Sequence, residues 1–123
     1  DEPAVAAFTQ ELLAAVAPAL AELGVSATSS LISHVPPTPC AELIRAAIAR
    51  AADGLGLNHR AMPSGAGHDG MFVSRVGPIG MIFVPCRDGR SHAPEEWIEP
   101  EQAATGARAL AAAVLELDRA LAR

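Results

Sequence analysis

Ile79-Gly80-Met81-Ile82-Phe83-Val84-Pro85 reads IGMIFVP, a short apolar block of β-branched and aromatic residues with a glycine inside it and a proline at its end. Such a block suits a strand buried on both faces, as in a parallel sheet, better than a half-wet one. The segments around it read as helices. On the C-terminal side, Ala103, Ala107, Leu110, Val114, Leu117 and Leu121 recur four and three residues apart. This predicts a helix that begins near Pro100 and presents one continuous apolar face. On the N-terminal side, Thr38-Pro39 predicts a helix start, with Thr38 as the capping side chain and Pro39 in the first position. Ile44, Ile48 and Ala51 mark its buried stripe up to Gly54. Further upstream, Phe8, Leu12, Val16, Leu20 and Leu23 space an amphipathic helix that Pro3 opens, Pro18 kinks and Gly24 caps. Between these two helices, Val25 to Val35 is rich in β-branched and small polar residues and predicts a strand with one wet face. The order helix, strand, helix, glycine loop, buried strand, polar loop, helix argues for an α/β arrangement. It also exposes a shortage: two strands are too few for the sheet that a doubly buried strand demands.

Composition narrows the function. The chain has 123 residues, enough for one domain with a core, and half of them are hydrophobic. There is no tyrosine, and Phe8, Phe72, Phe83 and Trp97 are the aromatic residues, so the core has to be built from small and aliphatic side chains. A formal net charge of −5 without a basic stripe argues against nucleic acid or an anionic membrane as partner. No apolar run is expected to approach the roughly 20 residues that span a bilayer, and no secretory signal is evident. A cytoplasmic protein is the expectation. Cys40 and Cys86 lie outside any Cys-x-x-Cys spacing and read as reduced, largely buried thiols; the alternative for Cys86 is a nucleophile paired with His92.

Two loops carry the chemistry-bearing residues. The first, Ser64 to Gly70 (SGAGHDG), places glycines where a ligand can approach the main chain, next to His68 and Asp69. It reads either as a ligand-binding wall or as an ordinary tight connection with Asp69 capping the next helix. A phosphate-gripping loop is the weaker reading, because no Lys-Ser or Lys-Thr follows the glycines. The second, Arg87 to Pro94, follows the apolar block directly and contains His92, which reads either as a hydrogen-bonded surface residue or as a metal ligand. His34 and His59 stand singly near segment ends and read as solvated or structural. Trp97 reads as an anchor that packs its loop onto the body.

MPSGAGHDG from Met62, GMIFVPCRDGRSHAPEEW from Gly80 to Trp97, and GARALAAAVLEL near the end together resemble the C-terminal part of the hydantoinase/carbamoylase family. These are dinuclear zinc amidohydrolases, among them N-carbamoyl-L-amino acid hydrolases, β-ureidopropionases and allantoate amidohydrolases, similar in fold to the zinc aminoacylase and carboxypeptidase group. The resemblance extends less sharply over the whole chain. Residues 1–36 look like the last helix and strand of an α+β lid or dimerisation domain, and residues 37–123 like the C-terminal part of a zinc-peptidase-like α/β catalytic domain. The missing strands would then lie in an N-terminal portion.

By this resemblance His92 would be a ligand of one of two zinc ions, or of another divalent metal such as manganese or cobalt. Gly67 and His68 would contact the substrate near its carboxylate and scissile amide, and Asp69 would orient the loop. The remaining ligands and the glutamate base belong, in the family, to the N-terminal portion; Glu95-Glu96 reads as a solvated pair and not as a substitute. Gly70, Cys86 and Ala93 depart from the family's usual alanine, serine and asparagine. Two functions follow as expectations. The first is the C-terminal portion of a metal-dependent amidohydrolase that cleaves linear C–N bonds of N-carbamoyl or ureido acids, inactive alone, with a homo-oligomeric or complementing N-terminal partner. The second is a non-catalytic carboxylate-binding or interaction module derived from that fold.

Overall fold

The computed structural model describes residues 2–122 apart from 27, 29 and 31. The chain divides into two compact units, Asp1–Thr38 and Pro39–Arg123.

The first unit is built on helix α1, Glu2–Glu22, with Pro18 inside it. Gly24 ends the helix in the left-handed region at φ 64°, where the absence of a Cβ removes the steric penalty. The Val25 N–H donates to the Leu20 carbonyl at 2.9 Å, satisfying one of the last helical acceptors. Apolar residues of α1 are exposed, Phe8 at 64% and Val5 at 63%. The segment Pro3–Glu22 has a mean hydropathy of 1.5, so by length and composition it could cross a membrane. That corrects the expectation that no apolar run approaches spanning length. The strand expected from Val25 to Val35 is not formed at residues 25, 26, 28, 30 and 32–35; residues 27, 29 and 31 lie outside the described set.

The second unit packs helix α2, Glu42–Gly54, against helix α4, Pro100–Leu121, with the single-turn helix α3, Gly70–Val73, and a 3₁₀ turn at Arg87–Gly89 in the intervening chain. α2 starts later than Thr38-Pro39 suggested. Ala41 takes the capping position and no side chain caps it. Instead the Ala41 N–H donates to the carbonyl of Ile79 at 2.8 Å, tying the helix start to the apolar block.

The core consists of Ala47, Ala51 and Ala52 from α2 facing Ala109 and Ala113 from α4. Small side chains let the two helices approach closely, and this selects the contact face. The apolar stripe predicted for α4 therefore turns outward: Leu110, Val114 and Leu121 are between 57% and 68% exposed.

Ile79 to Pro85 runs extended across the helix pair. Its contact rests on two glycines: a Cβ on Gly80 would collide with Ile44 of α2, and one on Gly106 of α4 would lie 2.5 Å from Val84 Cγ1. No strand is formed among the described residues, and Phe83 is half exposed. The expected α/β sheet with a doubly buried strand is not formed among the described residues. A β-ladder requires a second extended segment alongside, and among the described residues none supplies it.

Candidate functional site

The glycine loop is held by short-range bonds. Ser64 Oγ donates to the Ala66 carbonyl at 2.8 Å and accepts the Ala66 N–H at 3.3 Å, closing a side-chain turn before Gly67. On the far side, the Met71 N–H donates to the His68 carbonyl and the Phe72 N–H to the Asp69 carbonyl, each at 2.9 Å, which starts α3. Asp69 therefore acts through its main chain. It sits at the N-cap of α3 with no side-chain cap bond.

His68 is fixed by one specific contact. The Gly70 N–H donates to His68 Nδ1 at 2.9 Å. A nitrogen that accepts carries no proton, so the neutral ring holds its hydrogen on Nε2. His68 accordingly offers a donor to its surroundings, a group matched to a carboxylate or carbonyl oxygen. Gly70 permits this arrangement, since a Cβ there would stand 3.2 Å from His68 Nδ1.

His92 lies on the second loop with φ 57°, the left-handed region. Its N–H donates to Glu96 Oε2 at 2.8 Å. Its imidazole makes no hydrogen bond or ion pair among the described residues, leaving a nitrogen lone pair available. The loop is pinned at its base: the Arg87 N–H donates to the Trp97 carbonyl at 2.8 Å, and the Arg87 guanidinium covers the Trp97 ring at 5.6 Å from its centroid. Trp97 thus anchors the loop, yet with its ring half exposed.

No three His, Cys, Asp or Glu side chains stand together as a metal site among the described residues. His92 fits one position of such a site, and the described residues do not supply the others. Cys86, half-buried, donates its thiol to the Arg90 carbonyl at 3.1 Å. Cys40 is half-buried as well, so neither thiol is as enclosed as expected. His59 Nε2 meets Asp53 Oδ1 at 2.9 Å, fastening the end of α2. No hydrogen bond or ion pair joins the glycine loop to the His92 loop among the described residues.

Sequence reading missed Glu96. Both Glu95 and Glu96 are exposed, as the solvated pair predicts, but Glu96 also accepts the His92 N–H while Glu95 lies 3.6 Å from Arg90. A carboxylate four residues after a histidine is a weak signal in sequence, because it becomes informative only once the turn brings it back to the main chain.

The two loops, α2, the segment between the helices and most of α4 lie within the part of the chain that comparison with known proteins covers. Residues 24–116 match peptidase family M20/M25/M40, and the chain belongs to that family. Within it the similarity is to the carbamoylase group. The chain is 39% identical over 98 residues to an N-carbamoyl-L-amino-acid amidohydrolase of Paenarthrobacter aurescens, covering 80% of this chain and 24% of that protein. It is 40% identical over 87 residues to a ureidoglycolate hydrolase of Arabidopsis thaliana, covering 71% and 18%. An allantoate amidohydrolase of Bacillus subtilis is 35% identical over 103 residues, covering 84% and 25%. The chain spans about a quarter or less of the length of these relatives.

Proposed function

We propose that the chain is the C-terminal portion of a metal-dependent amidohydrolase acting on the linear C–N bond of an N-carbamoyl amino acid or related ureido acid. The observation that carries this reading is the family match over residues 24–116, which includes both loops, joined to relatives named for hydrolysis of N-carbamoyl, ureidoglycolate and allantoate compounds. The reading assigns residues 1–36 to a lid or dimerisation domain and residues 37–123 to an α/β catalytic domain, in which Ile79 to Pro85 pairs with strands supplied from elsewhere.

In this reading the Gly67 main chain and the His68 ring hold the substrate. The Nε2 hydrogen of His68 donates to a substrate oxygen, and the absence of a side chain at Gly67 lets the ligand lie against the backbone. The free imidazole of His92 holds one divalent ion, zinc or alternatively manganese or cobalt. When bound, such an ion supplies Lewis-acid polarisation of the scissile carbonyl and acidifies water. The other donors and the general base come from outside this chain, so the chain alone is inactive. The enzyme is cytoplasmic, assembles as a homo-oligomer or with a complementing N-terminal chain, and has no nucleic-acid partner.

Calorimetric titration of zinc, with His92→Ala as control, tests this, first on the chain alone and then with the N-terminal part of a relative added. Weak binding alone, becoming tight, His92-dependent and hydrolytic toward an N-carbamoyl amino acid on complementation, is the expected result. Metal binding indifferent to His92 in both settings overturns the assignment. Carboxylate binding without metal would favour a non-catalytic binding module.

A further inference from the structure

We propose that Glu96 is the positioning residue for His92. His92 occupies the left-handed region at φ 57°, which a residue with a Cβ holds only when its surroundings over-determine it. The surroundings here are one side chain and one turn. Glu96 Oε2 accepts the His92 N–H at 2.8 Å, and the Glu96 N–H donates to the Ala93 carbonyl at 2.9 Å. Glu96 thus closes the His92 turn twice, once with its carboxylate and once with its main chain. A hydrogen bond to an ionised acceptor is the stronger kind, and it falls on the peptide unit whose rotation sets the direction of the imidazole.

The neighbouring glutamate provides an internal contrast. Glu95 lies inside the same turn, but its side chain reaches Arg90 at the surface, 3.6 Å away, and makes no bond to the His92 main chain. Beyond Glu96, the Trp97 carbonyl is fixed by the Arg87 N–H, so the acceptor itself is carried on a braced segment. The His92 ring has no bond of its own among the described residues, and its direction is set through the backbone that Glu96 holds. A ligand delivered by a restrained backbone meets its ion without a reorganisation cost, which is how supporting residues contribute to metal affinity. The consequence for metal rests on the proposed function; the restraint on His92 does not.

The test is amide hydrogen exchange and the one-bond Cα–Hα coupling at His92, measured by NMR on the full chain for Glu96→Ala, Glu96→Gln and Glu95→Ala. Glu96→Ala is expected to speed exchange of the His92 amide about tenfold or more and to remove the positive-φ coupling signature. Glu96→Gln, which keeps an acceptor oxygen, is expected to preserve most of both, and Glu95→Ala to change neither. An unchanged His92 amide in Glu96→Ala overturns the proposal. Should Glu96→Ala lower overall stability, His92→Gly provides the second arm, because glycine takes positive φ without support and the loss caused by Glu96→Ala should then vanish. Its persistence would overturn the proposal too. In the complemented protein, Glu96→Ala is expected to weaken zinc binding about 10- to 100-fold, with Glu96→Gln restoring it. If His92→Ala abolishes zinc binding while Glu96→Ala leaves amide and affinity alone, the positioning role fails and the metal reading stands. If Glu96→Ala frees the His92 amide while neither variant alters zinc binding, the positioning role stands and the metal reading fails.

Discussion

Gly80 and Gly106 set how closely the extended segment approaches the helices. Each position would place a methyl group against an aliphatic side chain, Ile44 in one case and Val84 in the other. Gly80→Ala and Gly106→Ala are each expected to cost about 1–3 kcal/mol, read as a lower denaturation midpoint in urea. Gly65→Ala is the control: nothing lies within 4 Å of its Cβ position, and no comparable loss is expected. His68 yields a second residue-scale prediction. Ring nitrogen shifts should report an unprotonated Nδ1 and a protonated Nε2 in the neutral form, and the opposite tautomer would remove the donor role assigned to His68. The site was legible in sequence as far as its motifs went. Residue type and local pattern singled out the two loops, and the roles of Gly67, His68 and His92 were expected only from the family resemblance. The role of Glu96 was not legible, because it depends on a positive φ at His92 that histidine's chemistry does not announce.

At the scale of elements, helices were far more legible than their contact faces. The start of α4 at Pro100 and the left-handed cap at Gly24 follow from local stereochemistry and appear where expected. The buried stripe of α4 does not. A helix this rich in alanine carries two apolar stripes, and hydrophobic periodicity favours the one with larger side chains. Contact with the alanine face of α2 rewards smallness, so Ala109 and Ala113 go inward while Leu110 and Val114 face out. Ala113→Leu is therefore expected to destabilise the unit by about 1–3 kcal/mol. Leu110→Gln and Val114→Gln should stay within about 0.5 kcal/mol in chemical denaturation, as surface substitutions do. The predicted strands failed for a different reason. Extended propensity is a property of a segment, whereas a ladder needs a second segment alongside, and the shortage of strands was itself legible in the sequence. At the start of α4, the Glu99 N–H donates to Gln102 Oε1 at 3.2 Å, closing half of a capping box. Gln102→Ala should cost about 1 kcal/mol of stability, visible in thermal unfolding.

At the scale of the whole molecule, exposed apolar side chains recur on α1, at Phe72 and Val76, and on the outer stripe of α4. Apolar surface of this extent drives association. Sedimentation velocity over a range of concentrations should show self-association of the lone chain, reduced by Leu110→Gln with Val114→Gln; a monomer at high concentration would contradict this. The two loops of the second unit also differ in how they are tied. Residues 58–67 exchange no main-chain hydrogen bonds with other main-chain groups among the described residues, while the loop bearing His92 is bonded at Arg87, Ala93 and Glu99. The first can change length at little more than the slowly growing entropy of closing a longer loop. The second is metered: an extra residue between His92 and Glu96 would shift the histidine relative to every bond that holds it. Insertions and deletions in descendants of this chain should therefore gather between Arg60 and Ser64, and the count of residues from Arg87 to Glu99 should stay constant even where their identities drift.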